Sequence, residues 1–257
     1  MPLITLTSDF GIADGYVGAM KGVLATLAPD VIAVDLAHDV PRHDIAHAAW
    51  VLATAAFEFP LGTIHVVVVD PGVGGGRAEV VIAARGHLFV GPDNGVFAHV
   101  ARDHDGAWAI TSPAFRRPQA SPTFHGRDVF VPAAAALARG LLPQQAGPPT
   151  GLAGRLPWQT PAKLAATPPG IAAVGVIVHV DSYGNLITDL AAGDLGGGTP
   201  RVRVAGRDLP VVRTYEDVAV GELCAYVGSA RTIEIGVRQG SAAEMLRVSR
   251  GEVVWAR

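Results

Sequence analysis

Residues 63–70, TIHVVVVD, limit the fold more than any other stretch of the chain. So continuous an apolar run does not alternate inward and outward, as a half-buried strand would. It reads as a strand covered on both faces, the mark of a parallel sheet flanked by helices. The neighbouring sequence agrees. MPLITL and VIAVDLA read as two more buried strands. DGYVGAMKGVLATLAP and DIAHAAWVLATAAFEFP carry apolar residues at helical spacing, and Pro60 ends the second helix. EVVIAARGHLFVGPDNG follows as a hairpin, and RDVFVPAAAALARG as a further helix. Strand alternating with helix predicts an α/β domain whose sheet is mostly parallel.

The character changes near residue 141, where a proline-rich stretch runs to 170 with little periodicity. Short segments then recur: AVGVIVHVD, LITDL, PRVRVAG, LPVVRTY, LCAYVG, TIEIGV and MLRVSRGEVVWAR. Read as strands, they predict a small antiparallel barrel or sandwich. The expected division is an N-terminal α/β domain over 1–145, a Pro-rich linker wrapping the surface over 146–170, and a C-terminal β domain over 171–257.

Composition removes several function classes. The chain has 257 residues, 49% hydrophobic and 17% charged, enough for a sizeable core. A net charge of −3 argues against a nucleic-acid partner, which calls for clustered Lys and Arg. No apolar run approaches the ~20 residues that cross a bilayer, so no membrane partner is expected. The single cysteine, Cys224, excludes an intrachain disulfide and CxxC metal sites. MPLITLTSDF lacks the marks of a signal or transit peptide, and a cytoplasmic location is the expectation.

In a parallel α/β sheet, ligands bind beyond the carboxyl ends of strands. Asp9, Asp35 and Asp70 all fall at or just past such ends. Asp35 reads best as a cap or turn residue. The loop after Asp70, PGVGGGR, is neither a Walker loop nor a dinucleotide fingerprint: no Lys-Ser/Thr follows and the next segment is a strand. It reads as a tight turn that carries Arg77 back toward Asp70. His125 stands at the mouth of a helix, ahead of Arg127 and Asp128, which can pair at the helix start. HDVPRHDIAHAAW invites a metal reading through His38, His43 and His47, but HExxH is absent and Asp44 is better placed as an N-cap. In VDSYGNLITDL, Asp181, Tyr183 and Asn185 offer a carboxylate, a ring and an amide, a set that suits a purine and an amine and equally makes a good hairpin turn.

TSDFGIADGYVGAMKG, DPGVGGGR, GPDNGVF, FHGRDVFVPAAA and DSYGNLITD occur together and in this order. In that respect the chain resembles the S-adenosyl-L-methionine (SAM) hydroxide adenosyltransferases, the adenosine-forming SAM hydrolases related to fluorinases and chlorinases. The resemblance runs from residue 3 to near the C-terminus. It implies an α/β domain and a β-barrel-like domain, in a homotrimer with sites between subunits. It implies a metal-independent reaction of SAM with water, without a cofactor, giving adenosine and L-methionine. It puts the catalytic groups on Asp70, Arg77 and His125, holding one water, and the ribose contact on Asp9. Adenine and methionine contacts fall on Asp181, Tyr183, Asn185, Ser229 and Val237, and His43 lines the cleft. Competing readings are a SAM-dependent halogenase on the same scaffold, a SAM- or adenosine-binding protein without turnover, and a metal hydrolase using the histidines of residues 38–47.

Overall fold

The computed structural model describes residues 1–156 and 170–257. The chain divides into two compact units, Met1–Leu156 and Pro157–Arg257. The stretch 157–169, half of the expected linker, lies outside the described residues.

The first unit is built on a six-stranded sheet. Its strands are β1 (Leu3–Ser8), β2 (Ile32–Ala37), β3 (Ile64–Val68), β4 (Glu79–Ala84), β5 (His87–Pro92) and β6 (Gly106–Ala109), in the order β2-β1-β3-β5-β4-β6. Strands β2, β1, β3 and β5 are parallel, and β4 and β6 add on antiparallel. All five residues of β3 are buried. Its side chains alternate between two cores. Ile64, Val66 and Val68 meet α1 (Tyr16–Leu27) and α3 (Val131–Ala138) through Met20, Leu24 and Ala133. Val67 and Val69 meet α2 (Ile45–Ala55) through Ala48 and Leu52. The valine run is thus covered on both faces, as its lack of alternation requires.

Several expectations need correction. VIAVDLA forms β2, but as an exposed edge strand and not a buried one. Asp35 is neither cap nor turn. It lies within β2 opposite Leu6, and its carboxylate binds Lys21 Nζ at 2.6 Å and His38 Nε2 at 3.0 Å. Strand β6 was not foreseen, because GAWA is too short to show a period. Residues 146–150 run along β6, with Ala109 N donating to Pro148 O and Thr150 N to Ala107 O.

RDVFVPAAAALARG does not begin as a regular α-helix. Gly126–Phe130 form a wider π-turn, closed by Val131 N donating to Gly126 O. Pro132 accounts for it. Its ring has no N–H for the carbonyl of Asp128 and would collide with it in a regular helix. That carbonyl accepts instead from Arg117 N at 2.9 Å. Arg127 and Asp128 do pair, at 2.7 and 2.8 Å.

The second unit is a seven-stranded sheet. It comprises β7 (Ala173–Val180), β8 (Leu186–Ala191), β9 (Arg201–Val204), β10 (Arg207–Pro210), β11 (Leu223–Val227), β12 (Thr232–Val237) and β13 (Val253–Ala256). The order is β10-β9-β13-β7-β8-β12-β11, every neighbouring pair antiparallel. A bridge between Val211 and Ala225 brings the end of β10 against β11, so the sheet curls almost shut. The expected last strand is shorter than read. Ser241 caps a short helix, α4 (Ala242–Leu246), by accepting from Glu244 N, and Arg247 ends it at φ 54°. The strand resumes only at Val253. LPVVRTY likewise stays in strand only to Pro210. Among the described residues, no helix is long and apolar enough to cross a membrane.

A buried polar chain crosses the first sheet. Thr5 Oγ1 lies 2.8 Å from His65 Nδ1, and His65 Nε2 lies 3.1 Å from His87 Nδ1. Burial, then the neighbouring His87, lowers the pKa of His65 to about 3. An unfolded histidine protonates near 6.5. The unfolded chain therefore takes up the proton first. Stability is complete above about pH 6.5 and falls, by up to ~1.4 kcal/mol per pH unit from this residue, down to about pH 3. Thermal unfolding between about pH 7 and about pH 4.5 should show a midpoint that drops with acid. His65→Leu should flatten that slope while lowering the midpoint at neutral pH. An unchanged slope would show that another group carries the effect.

Candidate active site

Strand β3 ends against the loop that begins at Asp70, so that carboxylate is fixed by the best-buried strand of the sheet. Its side chain is only 4% exposed. The glycine loop then returns Arg77 to it. Arg77 Nε donates to both carboxylate oxygens at 3.0 and 3.1 Å, and Nη2 donates to Oδ2 at 2.5 Å. Nη2 also lies 2.8 Å from His125 Nδ1. Three groups separated by up to 55 positions are therefore joined through one guanidinium. Phe130, fully buried, backs the assembly: the Arg77 guanidinium lies 5.6 Å from its ring centroid, and the His125 ring meets it edge-on.

Gly74 explains why the loop needs glycine. Its φ is +74°, and a Cβ there would sit 2.5 Å from the carbonyl oxygen of Pro122. The loop thus rests directly on the segment that leads into His125. Gly126 is tight as well, since a Cβ would approach Val68 and Met20 to 3.1 and 3.2 Å.

Asp70 and His125 form part of the wall of a cavity of about 350 Å³. Asp9 and His43 line the same cavity, as do the mutually packed rings of Phe10, Tyr16 and Phe124. Arg77 joins Asp70 and His125 from behind this wall. Asp9 Oδ2 accepts from the backbone N of His43 at 2.8 Å, and His43 adopts the left-handed conformation, φ 66°, to offer that N–H.

Sequence reading missed Glu79, the first residue of β4. Its Oε1 lies 2.9 Å from His125 Nδ1 and 3.6 Å from Arg77 Nη1, while Oε2 lies 3.2 Å from Arg116 Nη1. No motif marks it; as the first residue of a strand it reads as an ordinary exposed charge. Burial pulls the pKa of His125 below its usual value. Glu79 and Asp70 oppose this, and Arg77 and Arg116 reinforce it. Burial thus favours the neutral imidazole.

The second unit carries its own cavity, of about 780 Å³. Asp181, Tyr183, Asn185, Ser229 and Val237 all line it. Asp181 Oδ1 accepts from the backbone N of Tyr183 and of Asn185, and Oδ2 accepts from Asn185 Nδ2 at 2.9 Å. The turn and the binding readings of DSYGN therefore describe one structure. Tyr183 is 79% exposed, an open ring over an open cavity. Glu234 and Tyr226, also absent from the sequence reading, share this wall. Burial raises the pKa of Glu234, and burial together with Glu234 raises that of Tyr226.

The histidines of residues 38–47 do not gather as the metal reading requires. His38 is held by Ser8 Oγ at 2.7 Å and by Asp35, and the Asp44 carboxylate caps α2 by accepting from His47 N. Among the described residues, no group of three or more His, Cys, Asp or Glu is placed to hold a metal ion.

The chain matches the SAM hydroxide adenosyltransferase N-terminal domain over residues 4–147 and the corresponding C-terminal domain over 175–255. It is 42% identical over 254 residues to a protein of Thermus thermophilus named (R)-S-adenosyl-L-methionine hydrolase, covering 95% of each chain. A fluorinase of Nocardia brasiliensis is 26% identical over 290 residues, covering 97% of this chain and 95% of that one. The crystal structure of an uncharacterized conserved protein from Thermotoga maritima superposes with a TM-score of 0.85 at 31% identity, over 98% of this chain and 99% of that one.

The contact at Gly74 yields a direct expectation. Gly74→Ala adds a Cβ that collides with backbone and sits in a strained conformation, and should cost about 1–3 kcal/mol of stability. Chemical unfolding measures the cost. A structure of the variant should show Arg77 Nη2 drawn away from His125. A variant of native stability with that contact intact would refute the tie between the loop and His125.

Proposed function

The chain belongs to the SAM hydroxide adenosyltransferase family, and from that membership we propose that it hydrolyses SAM to adenosine and L-methionine. The observation that carries this reading is the convergence of Asp70, Arg77 and His125 beside a cavity of small-molecule size. A water oxygen bonds to the ribose 5′ carbon as the carbon–sulfur bond breaks. The bonding pair stays on sulfur, which leaves as a neutral thioether and needs no acid. The enzyme has to supply a poised nucleophile and a destination for its proton. Asp70 and His125 line the cavity, one to take that proton and the other to orient the water. Arg77 locks the two in one geometry. Such positioning is worth at most roughly 7–11 kcal/mol of the barrier.

Asp9, held by the His43 N–H, is the proposed ribose ligand. Asp181, Tyr183, Asn185, Ser229 and Val237 are the proposed adenine and methionine ligands. The family resemblance implies a homotrimer in which neighbouring subunits complete one another's sites; each set lines a cavity in its own unit. No cofactor or metal is part of this scheme. A cytoplasmic setting is part of the same proposal.

The wall also bears on the competing halogenase. Asp70 is paired with Arg77, so its discrimination rests on hydrogen bonding: it offers acceptor oxygens, which suit a water that donates and give nothing to fluoride or chloride, which has no proton to donate. Incubation with SAM, with and without chelator and with chloride, followed by chromatography, should give adenosine and methionine under every condition. Asp70→Asn should lower the rate by roughly 10²-fold or more. The appearance of 5′-chloro-adenosine, sensitivity to chelator, or tight SAM binding without turnover would each replace this reading with its competitor.

A further inference from the structure

His125 meets its protein neighbours through one nitrogen. Nδ1 lies 2.8 Å from Arg77 Nη2 and 2.9 Å from Glu79 Oε1, a cation and an anion at the same atom. The cavity side is left to the rest of the ring. Glu79 is 13% exposed and faces three partners: His125, Arg77 through Nη1, and Arg116. Without it, the nearly buried Arg77 and the partly exposed Arg116 would face the carboxylate of Asp70 alone. Arg77 Nη1 would also lose the one carboxylate near it.

We propose that Glu79 is a positioning residue of this site, which fixes the plane of the Arg77 guanidinium and sets how readily His125 takes up a proton. The proposal rests on the hydrolytic reading above for its kinetic consequence, but not for its electrostatic one. The charged groups facing His125 are Asp70 after β3, Arg77 in the glycine loop, Glu79 on β4 and Arg116 beyond β6. The two carboxylates favour the imidazolium and the two guanidiniums oppose it. Deleting the Glu79 charge tips this balance toward the cations, so the His125 titration moves to lower pH. The acid limb of kcat/KM follows it downward. Asp70 still grips Nε and Nη2, but Nη1 loses its neighbouring carboxylate, so the guanidinium can tilt about the Asp70 contact and the water loses alignment even where His125 is neutral.

The test combines NMR titration of His125, which needs no turnover, with steady-state kinetics on SAM. Glu79→Gln should lower kcat by up to roughly 10²-fold, the cost of misplacing reacting groups by about 1 Å, with little change in KM. It should also shift the His125 titration toward acid. Glu79→Asp, which keeps the charge on a shorter arm, should leave that titration closer to native while still losing rate. Arg116→Gln removes an opposing cation and should move the His125 titration the other way, which keeps the proposal testable if Glu79→Gln does not fold. A native rate in Glu79→Gln overturns the proposal. So does a loss of rate with His125 titrating as in the parent protein, or a titration that does not rise in Arg116→Gln. If the parent protein leaves SAM intact while His125 responds as described, the hydrolytic reading fails and the electrostatic role of Glu79 stands.

Discussion

The ion pair between Asp70 and Arg77 is the interaction around which the first unit is organised. A carboxylate at the end of a strand with no exposed residue is costly unless a cation is held against it. The chain provides that cation seven positions later, through a loop that reverses direction within a few glycines. The two-pronged contact leaves one Nη2 hydrogen to reach His125. The pair is thus structural and chemical at once. It makes a buried charge tolerable, and it orients the two groups that face the cavity.

Much of this was legible in the sequence because the physics is local or periodic. The four valines of 66–69 require two covered faces, and β3 has them. Asp44 is an N-cap because α2 begins directly after it. Arg77 can return to Asp70 because Pro71 and Gly72 open a turn and the glycines after it permit the reversal. What was not legible depends on partners far away in the chain. VIAVDLA is as apolar as an interior strand, and only sheet order makes β2 an edge. Asp35 looks like a turn residue until Lys21 and His38 are brought beside it. The π-turn at 126–130 needs both the ring of Pro132 and the distant N–H of Arg117. Glu79 acquires its importance from neighbours at positions 77, 116 and 125 together.

The same contrast separates the two cavities. In the first unit the functional candidates are charged and nearly all engaged with each other. In the second, Asp181 spends its acceptor capacity on holding its own turn, and Tyr183 is presented to the outside on that turn. The first arrangement suits chemistry, which needs preset charges. The second suits recognition of a flat ring, which needs a fixed platform with room above it.

The contact between Gly74 and the Pro122 carbonyl has an evolutionary consequence. It works because a side chain is missing. Any single-base change in a glycine codon that alters the amino acid introduces at least one carbon at that place. No such step is small enough to be neutral there, and a compensating shift of the Pro122 carbonyl would carry His125 with it. The lineage can therefore explore new nucleophiles by changing the groups that line the cavity far more readily than by remodelling the loop that supports them.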